Sequence, residues 1–180
     1  MYKENKGFTL IELMISLTIF AVVVTAVFGF MLAGSRSYST VTNRLNLDVQ
    51  SQLALNQLES YIIDCNTGLY YADDTLYVFN KGSSDTQYDV HILKYDDASN
   101  QIKYGFGKDS ANLVGGNFTC TVTAGDLLAE NVTAFSVTTV SDGTRLTSAT
   151  VSLELTSNSA SFDGHRTIAL RNRPIAATLN

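Results

Sequence analysis

The chain has 180 residues, of which 45% are hydrophobic and 16% are charged, and it contains one proline. This length suffices for one globular domain with an appendage, and the composition excludes a disordered polymer. Twelve basic residues against 17 acidic residues give a formal net charge of −5, which argues against a general nucleic-acid-binding protein.

A long apolar run lies close to the N-terminus. The 26 residues from Phe8 to Ala33 carry one charge, that of Glu12. As a helix this run would extend ~39 Å, whereas the hydrocarbon core of a bilayer is ~30 Å thick. Lys3 and Lys6 precede the run, so the positive-inside rule predicts a cytoplasmic N-terminus and an exported remainder. The sequence therefore predicts a single membrane helix at residues 8–34, ahead of an exported domain.

Two ordinary explanations of this run are incomplete. A secretory signal peptide has an apolar region of only ~7–15 residues that ends at a small-x-small cleavage site, but Met31 and Leu32 precede Ala33 here. A plain membrane anchor explains everything except Glu12. An ionised carboxylate within an apolar helix costs roughly 2.5–3.5 kcal/mol, and acids at such positions usually serve a function.

The N-terminal motif of type IV prepilins and pseudopilins resembles the segment KGFTLIE at residues 6–12. In that family a short basic leader ends in Gly, a Phe follows, and a Glu occupies the fifth position after the Gly. Gly7, Phe8 and Glu12 match these three positions. The resemblance implies that a prepilin peptidase removes the leader, residues 1–7, by cleaving after Gly7. It also implies that Phe8 becomes the N-methylated N-terminus.

The resemblance further implies that Glu12 pairs with the Phe8 amine of a neighbouring subunit during assembly. A buried carboxylate and a buried ammonium each carry a large desolvation cost, which their pairing offsets. Only correctly staggered subunits bring the two groups together, so the pair would set the register of the filament.

The helix is predicted to continue beyond the membrane to about Asp64, because no Gly or Pro occurs between Ser35 and Thr67. Residues 35–66 form this exported, amphipathic half. One apolar set comprises Tyr38, Val41, Leu45 and Val49, and a second set on another face comprises Leu47, Ala54, Leu55, Leu58, Tyr61 and Ile62. Two interpretations remain open. Either the first set packs in a filament and the second on the protein's own sheet, or both form one broad stripe on the domain.

Residues 67–180 are predicted to form an antiparallel β domain, because the hydrophobic period changes to two after Gly68. The expected strands are residues 76–79, 87–95, 101–106, 132–140, 149–155 and 165–172, together with an alternating segment that contains Phe118, Cys120 and Val122. Turns are expected at 96–100 and 142–143. One long helix followed by an antiparallel β domain places the chain in the α+β class, with a pilin-like arrangement.

The C-terminal third is similar to PilW-like minor pilins and J-type pseudopilins, in which three C-terminal strands end near an Arg-Asn pair, here Arg171-Asn172. The resemblance implies a non-enzymatic minor pilin, held in the cytoplasmic membrane before it enters an extracellular filament. Its partners would be the prepilin peptidase, membrane lipid and the other pilins of that filament. A type II secretion pseudopilin is the alternative within the family. A membrane-tethered adhesin or ligand-binding domain that does not assemble is the alternative of another class.

Two cysteines, Cys65 and Cys120, lie in the exported part. A disulfide between them would close a loop of roughly 56 residues and stabilise the fold by ~4 kcal/mol in the chain-entropy model. The alternative is two free thiols.

No metal, cofactor or catalytic site is expected. His91 and His165 lie in separate strand patterns, and the acidic pairs at 73–74 and 96–97 are typical of turns. Arg166, Arg171 and Arg173 form a modest basic patch. A solvated face or ion pairs with acidic groups are favoured there over contact with nucleic acid.

Overall fold

The computed structural model of the protein describes residues 7–81, 87–110, 120–157 and 160–176. Helix α1 (Leu10–Ile63) precedes all the strands of this part of the chain. The strands are β1 (Gly68–Ala72), β2 (Thr75–Lys81), β3 (Tyr88–Asp96), β4 (Gln101–Asp109), β5 (Asp126–Glu130), β6 (Val132–Asp142), β7 (Arg145–Ser157), β8 (Ala160–Ala169) and β9 (Ile175–Ala176). The predicted α+β class is confirmed.

The chain divides into two compact units, Met1–Thr42 and Asn43–Asn180. In the first unit the described residues are the short segment 7–9 and the part of α1 up to Thr42. Almost every side chain of these described residues is exposed. The helix is long and apolar enough to cross a membrane.

The second unit is built on one sheet, with the hydrogen-bonded order β5-β4-β3-β2-β1-β9-β7-β6 and with β8 also paired to β7. The pairing is antiparallel throughout this described sheet except between β1 and β9, which are parallel over Gly68 and Leu69. Asp73 and Asp74 form the two-residue turn between β1 and β2 with φ of 47° and 56°. Positive φ at both central residues is typical of the type I′ hairpin turn.

The predicted strand at Cys120 and Val122 is wrong. Residues 120–125 form an extended connection rather than a strand, and Phe118 lies outside the described residues. The side chains of Cys120, Val122 and Ala124 pack against an apolar cluster on the sheet. Their alternation of apolar and polar residues therefore reflects a segment lying on the face of the sheet, and not one paired at its edge.

The two faces of the sheet bury different clusters. Successive side chains of a strand point to opposite faces, and Leu76 and Val78 of β2 accordingly lie on the helix side, whereas Tyr77 and Phe79 lie on the other side. On the helix side the core includes the buried face of α1, which comprises Leu47, Ser51, Ala54, Leu55, Leu58 and Ile62. On the outer side a smaller cluster comprises Tyr70, Phe79, Val90 and Ile92.

Candidate functional site

The predicted cleavage position lies in exposed chain before the helix begins. Gly7, Phe8 and Thr9 are non-helical and exposed, and the Phe8 side chain is 83% exposed. Apart from Gly7 itself and its chain neighbours, no atom of the described residues lies within 4 Å of the position that a Cβ on Gly7 would occupy. The Gly7–Phe8 bond therefore lies between two exposed residues, outside the helix.

A reciprocal pair of hydrogen bonds joins Thr9 and Glu12 at the start of α1. The Glu12 backbone N–H donates to Thr9 Oγ1 at 3.3 Å, and the Thr9 backbone N–H donates to Glu12 Oε2 at 3.3 Å. The Thr9 hydroxyl also donates to this oxygen at 3.2 Å. These contacts form a capping box, and the carboxylate lies at the end of the helix where the macrodipole favours negative charge. The helix therefore begins at Leu10, two residues later than predicted.

Sequence reasoning assigned Glu12 only to a pair between subunits and missed this role within one chain. The signal was present as Thr at position 9 and Glu at position 12, which is the T-x-x-E spacing of a capping box. Hydrogen bonds from Thr9 therefore stabilise the Glu12 carboxylate within the single chain, before any neighbouring subunit is present.

The exported half of α1 presents two different faces. All six residues of the second predicted set are shielded, five fully and Tyr61 in part. By contrast, Leu45 and Val49 are 58% and 54% exposed, and Leu53 joins them at 59%. One broad stripe packed entirely on the domain is therefore wrong for Leu45 and Val49. Tyr38 and Val41, in the first unit, are also exposed.

Both cysteines are free thiols in this structure. Cys65 is buried with the helix-side core, and its Sγ lies 3.2 Å from the Gly68 carbonyl oxygen, to which it donates. Cys120 is half-buried and packs with the outer cluster. Burial raises the pKa of both thiols, that of Cys65 to about 11.

We expect unfolded protein to take up two equivalents of alkylating agent without prior reduction, as counted by mass spectrometry. In the folded protein at pH 8, Cys120 should react first. A pKa of about 11 leaves roughly one Cys65 thiol in a thousand ionised at that pH, and the thiolate is the reactive form. Adducts that form only after a reductant is added would show instead that the disulfide exists.

Asp96 and His91 have structural partners within the chain. The Lys103 ammonium donates to Asp96 at 2.8 Å and lowers the pKa of that carboxyl to about 2. His91 stacks on Tyr61 with ring centroids 4.8 Å apart, and its Nδ1 lies 2.9 Å from the Tyr104 hydroxyl. Within the described ranges, no three His, Cys, Asp or Glu side chains are grouped so that they could hold a metal ion.

Two arginines of the predicted basic patch pair with acids that lie in α1 or directly after it. Arg166 of β8 lies 2.8 Å from Glu59, and Arg171 lies 3.5 Å from Asp64. The side chain of Asn172 donates to the Asp64 carbonyl oxygen at 3.2 Å. The Arg171-Asn172 pair therefore joins Asp64, the residue that follows α1, to the chain that follows β8.

One comparison with known proteins identifies the N-terminal segment. Residues 2–28 match the family model described as the prokaryotic N-terminal methylation motif. No curated protein and no solved structure shows a significant match to this sequence. The matched range includes Gly7, Phe8 and Glu12, so the chain carries the prepilin-type N-terminal methylation motif, which supports its assignment to the type IV pilin-like family.

Proposed function

We propose that this protein is a structural subunit, a minor pilin of a type IV pilus-like filament. The observation that carries the proposal is the methylation motif at residues 2–28, which leads directly into an exposed apolar helix. An apolar surface of this size requires cover from lipid or from other protein. The helix of a filament subunit is covered by lipid before assembly and by other subunits afterwards.

Before assembly, residues 8–33 would lie in the cytoplasmic membrane with the β domain on its outer side. The prepilin peptidase would cleave between Gly7 and Phe8, and methylation would follow on the new Phe8 amine. The same helix would then leave lipid and pack in the filament. Both environments are apolar, so this transfer changes the hydrophobic free energy little.

Glu12 would make the transfer selective for a correctly placed neighbour. Among the described residues of the single chain, its carboxylate accepts hydrogen bonds from Thr9. In the filament it would also face the Phe8 ammonium of the adjacent subunit, and a charged pair in an apolar surrounding forms a strong hydrogen bond. The capping box would hold the carboxylate at the helix start until then.

The exposed side of the exported helix supports contacts between subunits as well. Leu45, Val49 and Leu53 lie on the side of α1 away from the buried face. They are spaced four residues apart, as neighbours on one helix face are. This second apolar face favours a subunit that packs against other subunits over a β domain that is only displayed from a membrane anchor.

The mature N-terminus tests the proposal. Mass spectrometry of the protein from its native host should show a chain that begins at Phe8 and carries one additional methyl group. A chain that still begins at Met1 would contradict it and favour the tethered domain that does not assemble.

A type II secretion pseudopilin would share the cleavage and the methylation. The distinguishing experiment is deletion of this gene, followed by parallel assays of surface filaments and of enzyme secretion. Loss of filaments with normal secretion supports the minor pilin, and the converse supports the pseudopilin.

A further inference from the structure

The outer face of the sheet carries a groove that the proposed function does not invoke. It lies between strands β2 and β3 and the segment 120–125, and its volume is about 350 Å³. Tyr77 and Ile92 line it from the sheet, residues 122–124 line it from the segment, and Thr75 and Lys94 complete it. We call this feature the outer groove. Its volume falls within the range of about 300–1,000 Å³ that small-molecule sites occupy.

Two glycines of β4 allow the segment to lie directly on the sheet. A Cβ at Gly105 would collide with the Thr123 carbonyl oxygen, and a Cβ at Gly107 would lie 2.8 Å from Cγ2 of Val122. The Gly-Phe-Gly sequence at 105–107 therefore serves close packing of chain on sheet.

Hydrogen bonds hold the segment at both ends. The Thr121 backbone N–H and hydroxyl donate to the Asp109 carboxylate at 2.6 and 3.0 Å. At the other end, the Gly125 N–H donates to the Tyr104 carbonyl oxygen at 2.9 Å. The wall of the outer groove is thus fixed to β4 on either side of residues 122–124 by contacts within the chain.

The groove combines an apolar surface with one positive charge. Ile92 is buried and the Tyr77 ring is half-buried, and both belong to or pack against the outer cluster. Lys94 is exposed and makes no ion pair with any residue that the structure describes. Its cross-strand neighbour Lys103 is already neutralised by Asp96 at 2.8 Å. None of the residues lining the groove is acidic.

We propose that the outer groove binds a small carboxylate that carries an apolar ring. The ring would pack on Tyr77 and Ile92, where an aromatic group gains both burial and an offset or edge contact. The carboxylate would accept a charge-assisted hydrogen bond from the Lys94 ammonium. One cation at the opening matches one carboxylate, and the volume limits the remainder of the ligand to about a ring and a short chain.

The test uses the full chain in detergent micelles with 3-phenylpropanoate and its neutral amide, 3-phenylpropanamide, as probes. Amide chemical shifts of ¹⁵N-labelled protein should change saturably near Tyr77, Ile92 and residues 122–124. The acid should bind at least about fivefold more tightly than the amide, because a hydrogen bond to a charged group contributes more than a neutral one.

Two variants make the test specific. Lys94→Gln should abolish the preference for the acid while leaving weak binding of both probes. Lys108→Gln is the matched control, because Lys108 lies on the same hairpin beside Asp89, at 3.7 Å, and alternation along β4 places it on the opposite face. The Lys108→Gln variant should prefer the acid over the amide by the same factor as the original protein.

Three results would overturn the proposal. They are equal affinity for acid and amide, a preference that survives Lys94→Gln, and shift changes that do not saturate or that are confined to the apolar residues 10–33, where the probe would have entered the micelle.

Discussion

Replacing Glu12 with Ala is expected to lower the amount of this protein in filaments by about 100-fold or more. Removal of one partner from a buried ion pair leaves the other charge uncompensated, at a cost of roughly 3–5 kcal/mol, and each 1.4 kcal/mol corresponds to about tenfold in an equilibrium. The uncompensated group would be the Phe8 ammonium of the neighbouring subunit. Immunoblots of sheared filaments and of membranes measure the two pools.

Ser16→Ala is the matched control for this substitution. Ser16 lies one turn further along the exposed helix, and its hydroxyl donates to the Glu12 carbonyl oxygen at 2.8 Å within the same chain. Its removal leaves both charges in place, so filament incorporation should remain near the original level. If the Glu12→Ala variant entered filaments as efficiently as the Ser16→Ala variant, the proposed pairing of Glu12 with Phe8 would be wrong.

Leu58→Ala is expected to destabilise the β domain by about 2–5 kcal/mol, whereas Leu53→Ala should change its stability by less than about 0.5 kcal/mol. Leu58 is 0% exposed in the helix-side core, and Leu53 is 59% exposed on the other side of α1. Each variant removes the same atoms from the same helix, so the pair isolates the effect of burial. Urea unfolding of the full chain in detergent, followed by circular dichroism, measures the difference.

Leu53→Ala should also separate assembly from folding. Leu53→Ala should fold normally and still enter filaments less efficiently, because its side chain belongs to the exposed face proposed to contact other subunits. A Leu53→Ala protein as unstable as Leu58→Ala would show that this face packs on the domain after all. A stable Leu53→Ala protein with full incorporation would remove Leu53 from the proposed contact.

Features that depend on neighbours in sequence could be predicted well. The long helix was expected from residues 8 to 64 and extends from Leu10 to Ile63, because apolar composition and the lack of Gly and Pro act locally. The β3–β4 hairpin and its turn also agree with the prediction. The helix starts two residues later than the apolar run because the Thr9–Glu12 capping box, itself a local signal, fixes its first turn at Leu10.

Features that depend on distant contacts could not be predicted. The apolar alternation at residues 120–124 has the same period as a strand. The segment lies on the face of the sheet because Gly105 and Gly107, which are distant in sequence, leave room for it there. Strand β9 is two residues long and is defined by its parallel pairing with β1. No pattern within two residues carries that information.

The sequence by itself determined the character of the N-terminal segment, because Gly7, Phe8, Glu12 and the apolar run act through their own chemistry and spacing. It also determined that a β domain follows the helix. Only the tertiary structure decided which apolar residues of the exported helix are buried, since a helix with two apolar sets can present either one to its sheet. It likewise placed Cys65 in the helix-side core and Cys120 with the outer cluster. Burial is a property of what lies opposite a side chain, and residues distant in sequence supply that surface.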